Sequence, residues 1–337
     1  MRREDLLASP VEHIKIKPKM TVNELMLEFE KSGSFGAGRL AAACNIFEKM
    51  LRDEGCTIFL ALAGAAVPAG LRTVIADLIR KRQIDALVTT AANMVHDFIE
   101  ALGGHHYKGH WAADDVLLYQ YHVYRIYDIF VPEEDFVKMD YHCAEMFTKI
   151  AEENAGKTLS SNELAWEMGK RLSDPNSILR AAYEEKVPIF MPALRDSEFG
   201  YIHWLHSQRN PQNTLKVDAF KEVGYIIEMF RKSPRNGMIV LGGGVPRNTV
   251  QHAAVTARKG IDYAIVLTMD RAETGGLSGS TLEETVSWGK LKKDASKIMV
   301  IGDMLITFPI IVAAVNERLG ENYTRTPALT RIRSKIT

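Results

Sequence analysis

The chain has 337 residues, long enough for one large domain or two small ones. Lys plus Arg and Asp plus Glu both number 42, so no net basicity argues for nucleic acid and no polybasic stretch argues for a membrane. At 46% hydrophobic and 25% charged the composition is globular, its most apolar runs are too short or interrupted to span a bilayer, and its three cysteines form no CxxC pair. With an N-terminus that lacks a secretory pattern, these features suggest a cytoplasmic protein.

Residues 1–20 are charged, carry Pro10 and Pro18, and read as an arm. A helix is expected from Thr21, with Glu24 three residues on completing a capping box. Ser32 to Gly38 is glycine-rich and feeds a second helix; with no lysine and no preceding strand it reads as a turn, not a phosphate loop. Thr57–Leu62 and Asp85–Thr90 are continuous apolar runs followed by helical patterns, as expected for strands buried on both faces of a parallel sheet. Small residues after each run let a ligand approach, and a helix N-terminus there favours anions. GxGxxG is absent from both turns. In GHHYKGHWAADD (104–115), His106 and His110 would face one another only on a helix, which the glycines oppose. They read as surface or interface histidines, and no metal is expected. The aromatic stretch Tyr119 to Phe130 suits an interface, an internal strand or a helix. Residues 132–185 read as mainly helical.

The strand pattern returns at Val187–Met191, with Asp196 just beyond. Met238–Leu241 runs into GGGVPRN, Tyr263–Thr268 into a long Gly/Ser loop, and Ile298–Ile301 into Gly302-Asp303. Before that last run stands Lys290, behind a Trp-Gly pair. A lysine there can do amine or imine chemistry if burial lowers its pKa; otherwise it is a solvated surface charge. The chain closes on a polar tail, 321–337. Alternating strands and helices predict the α/β class: a Rossmann-like, largely parallel sheet with helices on both faces in a single large domain, 21–320. Thr90, Asp196, Gly244, Ser278 and Asp303 all fall at or past strand ends, where such sheets bind ligands, and are expected to cluster.

Several of these segments, in order and spanning about Phe35 to Val315, resemble the deoxyhypusine synthase family: FLALAGAAVPAGLR (59–72), DALVTTAANMVHD (85–97), PIFMPALRDSEFG (188–200), MIVLGGGVPRN (238–248), VSWGK (286–290) and IGDMLITFP (301–309). The resemblance implies an NAD-dependent transfer of a four-carbon amine unit from a polyamine such as spermidine. The imine is captured by Lys290 and passed to an acceptor amine. The implied NAD contacts are Gly64, Ala65, Thr90, Ala91, Asp196, Ser197, Gly244, Ser278, Asp303 and Met304; the two aspartates could equally be helix caps. Glu284 and Trp288 are implied to meet the amine substrate, Trp288 by offering its ring face to a cation. A solvated loop acid is the ordinary reading of Glu284. Homotetramers with sites at subunit interfaces are implied as well, as is an N-terminal arm able to cover the entrance.

The chain departs from the family at the amine-binding positions. Leu277 stands where the family's GSDSG loop has an acid, and Tyr201 replaces another. Val95 and His96 replace a glutamate pair, and Asn248 and Thr249 replace paired histidines, for which His252 is a candidate substitute. Polyamine nitrogens are cations that favour carboxylates. The expectation is therefore a retained lysine and NAD cradle with an altered amine. A small-diamine acceptor, as in a homospermidine synthase, is placed ahead of a protein lysine; a non-catalytic NAD or polyamine binder is the alternative from another class.

Overall fold

The apolar runs pair side by side. The computed structural model describes residues 2–320 and 322–326, so most of the expected polar tail lies outside the described residues. Its strands are β1 (Cys56–Leu62), β2 (Ala86–Thr89), β3 (Tyr107–Lys108), β4 (Val123–Ile126), β5 (Ile129–Pro132), β6 (Ile189–Phe190), β7 (Arg235–Leu241), β8 (Ile261–Thr268) and β9 (Leu291–Ile301). Six of them form one sheet in the order β6-β2-β1-β7-β8-β9, every neighbouring pair parallel. Parallel neighbours need crossovers, which the intervening helices supply on both faces.

All seven residues of β1 are buried. Its side chains alternate between two cores: Ile58, Leu60 and Leu62 join Phe47, Phe147 and Phe308 on one face, while Phe59 and Ala61 join Phe230, Val240 and Val250 on the other. Phe59 stacks on Phe230 with ring centroids 4.4 Å apart. Because β2 and β7 flank β1 on opposite sides, the order in which strands are added reverses there. In open parallel sheets a ligand crevice belongs at such a reversal, here outside the carboxyl ends of β1 and β7.

Three features differ from or complete the sequence reading. The Tyr119 to Phe130 segment closes the helix Asp115–Gln120 and then forms the hairpin β4–β5, which with β3 makes a separate antiparallel sheet. Strands of two to four residues are too short to show an alternating pattern. Strand β9 begins at Leu291, well before the apolar run, so Lys290 abuts the strand directly. Thr21 and Glu24 do form the capping box, but of the glycine-rich segment Ser32 to Gly38 only Gly33 (φ 62°) and Ser34 make the turn; Ser32 ends the helix Val22–Ser32, and Phe35 to Gly38 already belong to the helix Phe35–Arg52. Among the described residues no helix is long and apolar enough to cross a membrane.

Asp97 fastens the helix that leaves β2. Its buried carboxylate takes Arg72 Nε at 2.7 Å, the Ser177 hydroxyl at 2.8 Å, and the backbone N–H groups of Ile178 and Leu179 at 3.0 Å. It thereby joins the helices Arg72–Arg80, Ala91–Ala101 and Ile178–Glu185. Removing the carboxylate leaves the Ser177 hydroxyl and two buried N–H groups without their acceptor, while Arg72 retains its ion pair with Asp174, at 2.6 Å. Asp97→Ala is expected to cost about 3–5 kcal/mol in a urea unfolding titration.

Candidate active site

Every strand of the large sheet delivers a residue of interest to its carboxyl edge. Gly64 and Ala65 follow β1, Thr90 and Ala91 follow β2, and Asp196 and Ser197 follow β6. Gly244 follows β7, Ser278 lies in the loop after β8, and Asp303 and Met304 follow β9. The glycine run after β7 needs its residue type: Gly242, Gly243 and Gly244 have φ of 80°, 145° and 58°, and a Cβ on Gly243 would stand 2.6 Å from Ser278 Cα. This loop packs against Ala63, and Gly64 lies beside Met304.

The helices Ala91–Ala101, Glu198–Arg209 and Gly244–Thr256 all start at this edge, and none has its N-terminus closed by a capping side chain. Free N–H groups and the positive end of a helix dipole suit an anionic group such as a pyrophosphate, and the glycines let backbone approach it. The residues thus fit a dinucleotide. Asp303 realises the capping reading, its Oδ1 accepting from Leu305 N at 2.8 Å, which leaves its second oxygen for a ligand. Asp196 is exposed and is not a cap; Ser197 takes that position but donates its hydroxyl to Leu194 O. The Ser278 hydroxyl is committed to Asp270 at 2.6 Å.

Lys290 is only 8% exposed, while the neighbouring Trp288 is 64% exposed. The short helix Leu282–Ser287, capped by Thr281, turns at Gly289 (φ 69°) and sets the lysine Nζ 5.2 Å from the Trp288 ring centroid. Among the described residues the amine has no ion-pair partner. Burial, together with the nearby charge of Arg247, lowers its pKa below the ordinary lysine value, and Glu284 opposes that shift.

Arg247, not singled out in the sequence, has no exposed area. Its guanidinium donates to the carbonyls of Leu277, Ser278 and Ser280 at 2.9–3.1 Å and reaches the Thr285 hydroxyl at 3.4 Å. The Thr285 carbonyl in turn receives the Lys290 backbone N–H at 3.2 Å. Burial pushes the Arg247 pKa down to about 10 against the pull of Glu284. Leu277 therefore supplies a backbone carbonyl to the support of this loop, and no acid.

Within one chain the backbone of Lys290 and that of Gly302 and Asp303 lie at opposite ends of the sheet, although Arg247 links the lysine's segment to Ser278. The Lys290 carbonyl accepts from Ile261, the first residue of β8, whereas Gly302 donates to Thr268, its last. Across an eight-residue strand at ~3.3 Å per residue those backbones stand roughly 23 Å apart.

The remaining positions divide. Tyr201 is exposed on the helix Glu198–Arg209, and His252 is exposed on Gly244–Thr256. His96 instead heads a hydrogen-bonded chain: its Nδ1 lies 2.9 Å from His106 Nε2, and His106 Nδ1 lies 2.7 Å from Glu100 Oε1. Burial, then the nearby His106, push the His96 pKa down to about 4. His106 and His110 are not on a helix; His110 stacks on Trp111, and among the described residues no group of three or more metal-ligating side chains is found. The Glu100–His106 pairing was not legible because it closes around the turn at Gly103 and Gly104, whose path no spacing rule gives.

A lowered lysine pKa has a sign in stability. Between the folded value and the unfolded one near ~10.4, the unfolded chain binds more protons, so stability contributed by this group rises with pH. Lys290→Met is expected to raise the melting temperature at pH 7, with the advantage over the parent shrinking as pH climbs toward 10. Melting curves across pH at one protein concentration check this.

Comparison with known proteins places this arrangement. The family model described as deoxyhypusine synthase matches residues 24–315. "Probable deoxyhypusine synthase 1" of Methanosarcina mazei is 46% identical over 315 residues, covering 94% of this chain and 97% of that one. A Methanothermobacter thermautotrophicus protein with the same family name is 38% identical across 93% of this chain and 100% of its own. The crystal structure of a protein from Entamoeba histolytica assigned to deoxyhypusine synthases has the same fold, with TM-score 0.67, 21% identity, and coverage of 94% of this chain and 99% of that one. With a family model covering most of its length and relatives this similar end to end, the chain belongs to the deoxyhypusine synthase family and is a transferase of that family.

Proposed function

We propose that the protein moves an aminobutyl group from a polyamine to an acceptor amine, with NAD as cofactor and Lys290 as the covalent carrier. The observation that carries this reading is the buried, unpaired amine of Lys290, its basicity lowered by burial and by Arg247. A lysine must shed its proton to attack an imine carbon, and a dry, positively charged setting favours that form near neutral pH. NAD, when bound, supplies hydride acceptance and return at the amine carbon. Gly64, Ala65, Thr90, Ala91, Gly244 and Met304 would hold it through backbone contacts and the open helix N-termini, with the free oxygen of Asp303 and the exposed Asp196 available to ribose hydroxyls. The exposed Trp288 ring offers a face to the substrate cation, worth about 0.5–2 kcal/mol, and Glu284 on the preceding helix offers a carboxylate.

The separation of Lys290 from the carboxyl edge supports a shared site. In this reading the lysine of one copy works with the cradle of another in a homotetramer, and the exposed aromatics around Tyr119, Tyr121 and Tyr127 and the exposed Trp288 add contact area. The names of the relatives favour a protein lysine as acceptor, that is, deoxyhypusine synthesis on the hypusine-bearing translation factor. A small diamine, giving homospermidine, is the second reading. It is favoured by Tyr201 and His96 standing where the family resemblance leads one to expect acids.

Three experiments test this. Borohydride added to protein, spermidine and NAD is expected to trap an adduct on Lys290, and Lys290→Ala to lower transfer at least about a thousandfold. An unmodified lysine, or unchanged turnover in the variant, would overturn the covalent route. Supplying the translation factor and putrescine together, with both products measured, decides the acceptor. Mixing Lys290→Ala with Gly243→Val protein, each inactive alone, is expected to restore a measurable fraction of activity if the site is shared; no restoration places lysine and cradle in one chain.

A further inference from the structure

We propose that Glu100, His106 and His96 form a proton relay with a fixed direction, in which His96 Nε2 takes a proton from the substrate ammonium before its carbon is oxidised. The direction follows from donor and acceptor counting. Burial pushes the Glu100 carboxyl up, but hydrogen bonds from the side chain and backbone of His106 outweigh that and hold it below its usual range. It is therefore ionised and can only accept. His106 Nδ1, 2.7 Å away, must carry the hydrogen. With that one hydrogen His106 presents Nε2 as an acceptor, so His96 Nδ1, 2.9 Å away, donates to it; a second hydrogen on His106 would turn the bond round and leave His96 protonated at Nε2, an outcome that nitrogen-15 NMR detects. The remaining nitrogen, His96 Nε2, is left with a bare lone pair and makes no hydrogen bond among the described residues. The logic is that of a carboxylate orienting a base through a fixed tautomer, extended by one ring.

Position makes the lone pair useful. Thr90 and Ala91 open the helix that carries His96, so the ring stands roughly 8 Å along the axis from the cradle. It is half-buried, with the His106 ring against it at 4.9 Å and Phe136 edge-on at 6.1 Å. The charged neighbours gather at the far end of the chain: His105 lies 3.6 Å from the second Glu100 oxygen, Arg72 acts on Glu100 from across the helix, and Asp135 receives the His105 backbone N–H.

The chemistry needs such a group. An ammonium nitrogen has no lone pair with which to expel a hydride, so a polyamine nitrogen must lose a proton before its carbon can be oxidised. The proton passes to His96 Nε2, the His96 Nδ1 hydrogen moves to His106 Nε2, and the resulting imidazolium is held by Glu100; charge and protons balance at each step. A relay of this kind does by shuttling what a carboxylate would do by ion pairing, at a position where this chain has no acid. The assignment of substrate rests on the proposed aminobutyl transfer, but the tautomer does not.

Nitrogen-15 NMR of the histidines in the full-length protein reads the tautomer directly. Wild type is expected to show His96 protonated at Nδ1 and bare at Nε2, with the Nε2 resonance responding to added putrescine. A hydrogen on His96 Nε2, or no response to the diamine, would overturn the relay. In Glu100→Gln the amide oxygen can still accept from both the His106 backbone N–H and Nδ1–H, so the tautomers are kept while the charge that holds the imidazolium is lost. The kcat for transfer from spermidine should then fall about a hundredfold with a smaller change in KM, and the loss should shrink as pH rises and free amine is supplied by solvent. A loss that is absent, or flat in pH, counts against the relay; His106→Asn serves if the glutamine variant does not fold. Absence of spermidine turnover in wild type would sink the proposed function while leaving the NMR result to judge the relay.

Discussion

A guanidinium with no exposed surface underlies both halves of the candidate site. Placing a cation at that depth costs several kcal/mol unless its hydrogens are met; the two terminal nitrogens of Arg247 meet three loop carbonyls and a hydroxyl, with no carboxylate among them, while its Nε–H has no partner among the described residues. Arginine suits the task because its planar fork presents five donors that stay charged. One arm of this support holds the loop whose Ser278 backbone rests against Gly243, at the mouth of the crevice. The other holds Thr285, which fixes the backbone of Lys290. The same charge makes protonation of the lysine harder. Packing and electrostatics therefore act in one direction: the residue that shapes the loop also tunes the amine.

The site is poor in negative charge for one read as receiving polycations. Glu284 is the acid whose field reaches Lys290, and it is exposed and opposes the lowering of the lysine pKa. Where the family resemblance leads one to expect a carboxylate beside the cradle, the helix after β2 offers an imidazole backed by a second imidazole and a partly exposed acid. In the proposed reaction Trp288 would offer an aromatic face and His96 a lone pair, and cation–π contact and proton acceptance discriminate less by charge count than ion pairing does.

Sheet topology sets a further constraint. A parallel sheet gathers every strand's carboxyl end on one edge, so Gly64, Thr90, Gly244 and Asp303 come together from segments more than two hundred residues apart. The same rule sends the beginning of β9, and with it Lys290, to the opposite edge. Within one chain the Lys290 backbone thus stands a strand's length from Gly302 and Asp303.

The parallel sheet, its approximate strands and the small-residue edge were legible because continuous apolar runs ending in Gly, Ala or Thr have few other structural solutions. The capping box at Thr21 and Glu24 was equally local, since three residues and one turn of helix settle it. The importance of Lys290 came from its short motif and the family resemblance; its burial could not, because the area removed from water depends on what packs over it. Arg247 was passed over because a buried arginine and a surface one look alike until the four oxygens around it are known. The histidine chain stayed hidden for the same reason: Glu100, His106 and His96 meet around a glycine turn, and which nitrogen faces which is decided by three-dimensional path alone. Sequence by itself determined the periodicities, and through them the sheet and its ligand-binding edge. Only tertiary structure decided which charges are dry, since desolvation belongs to a volume of packed neighbours and not to any one residue.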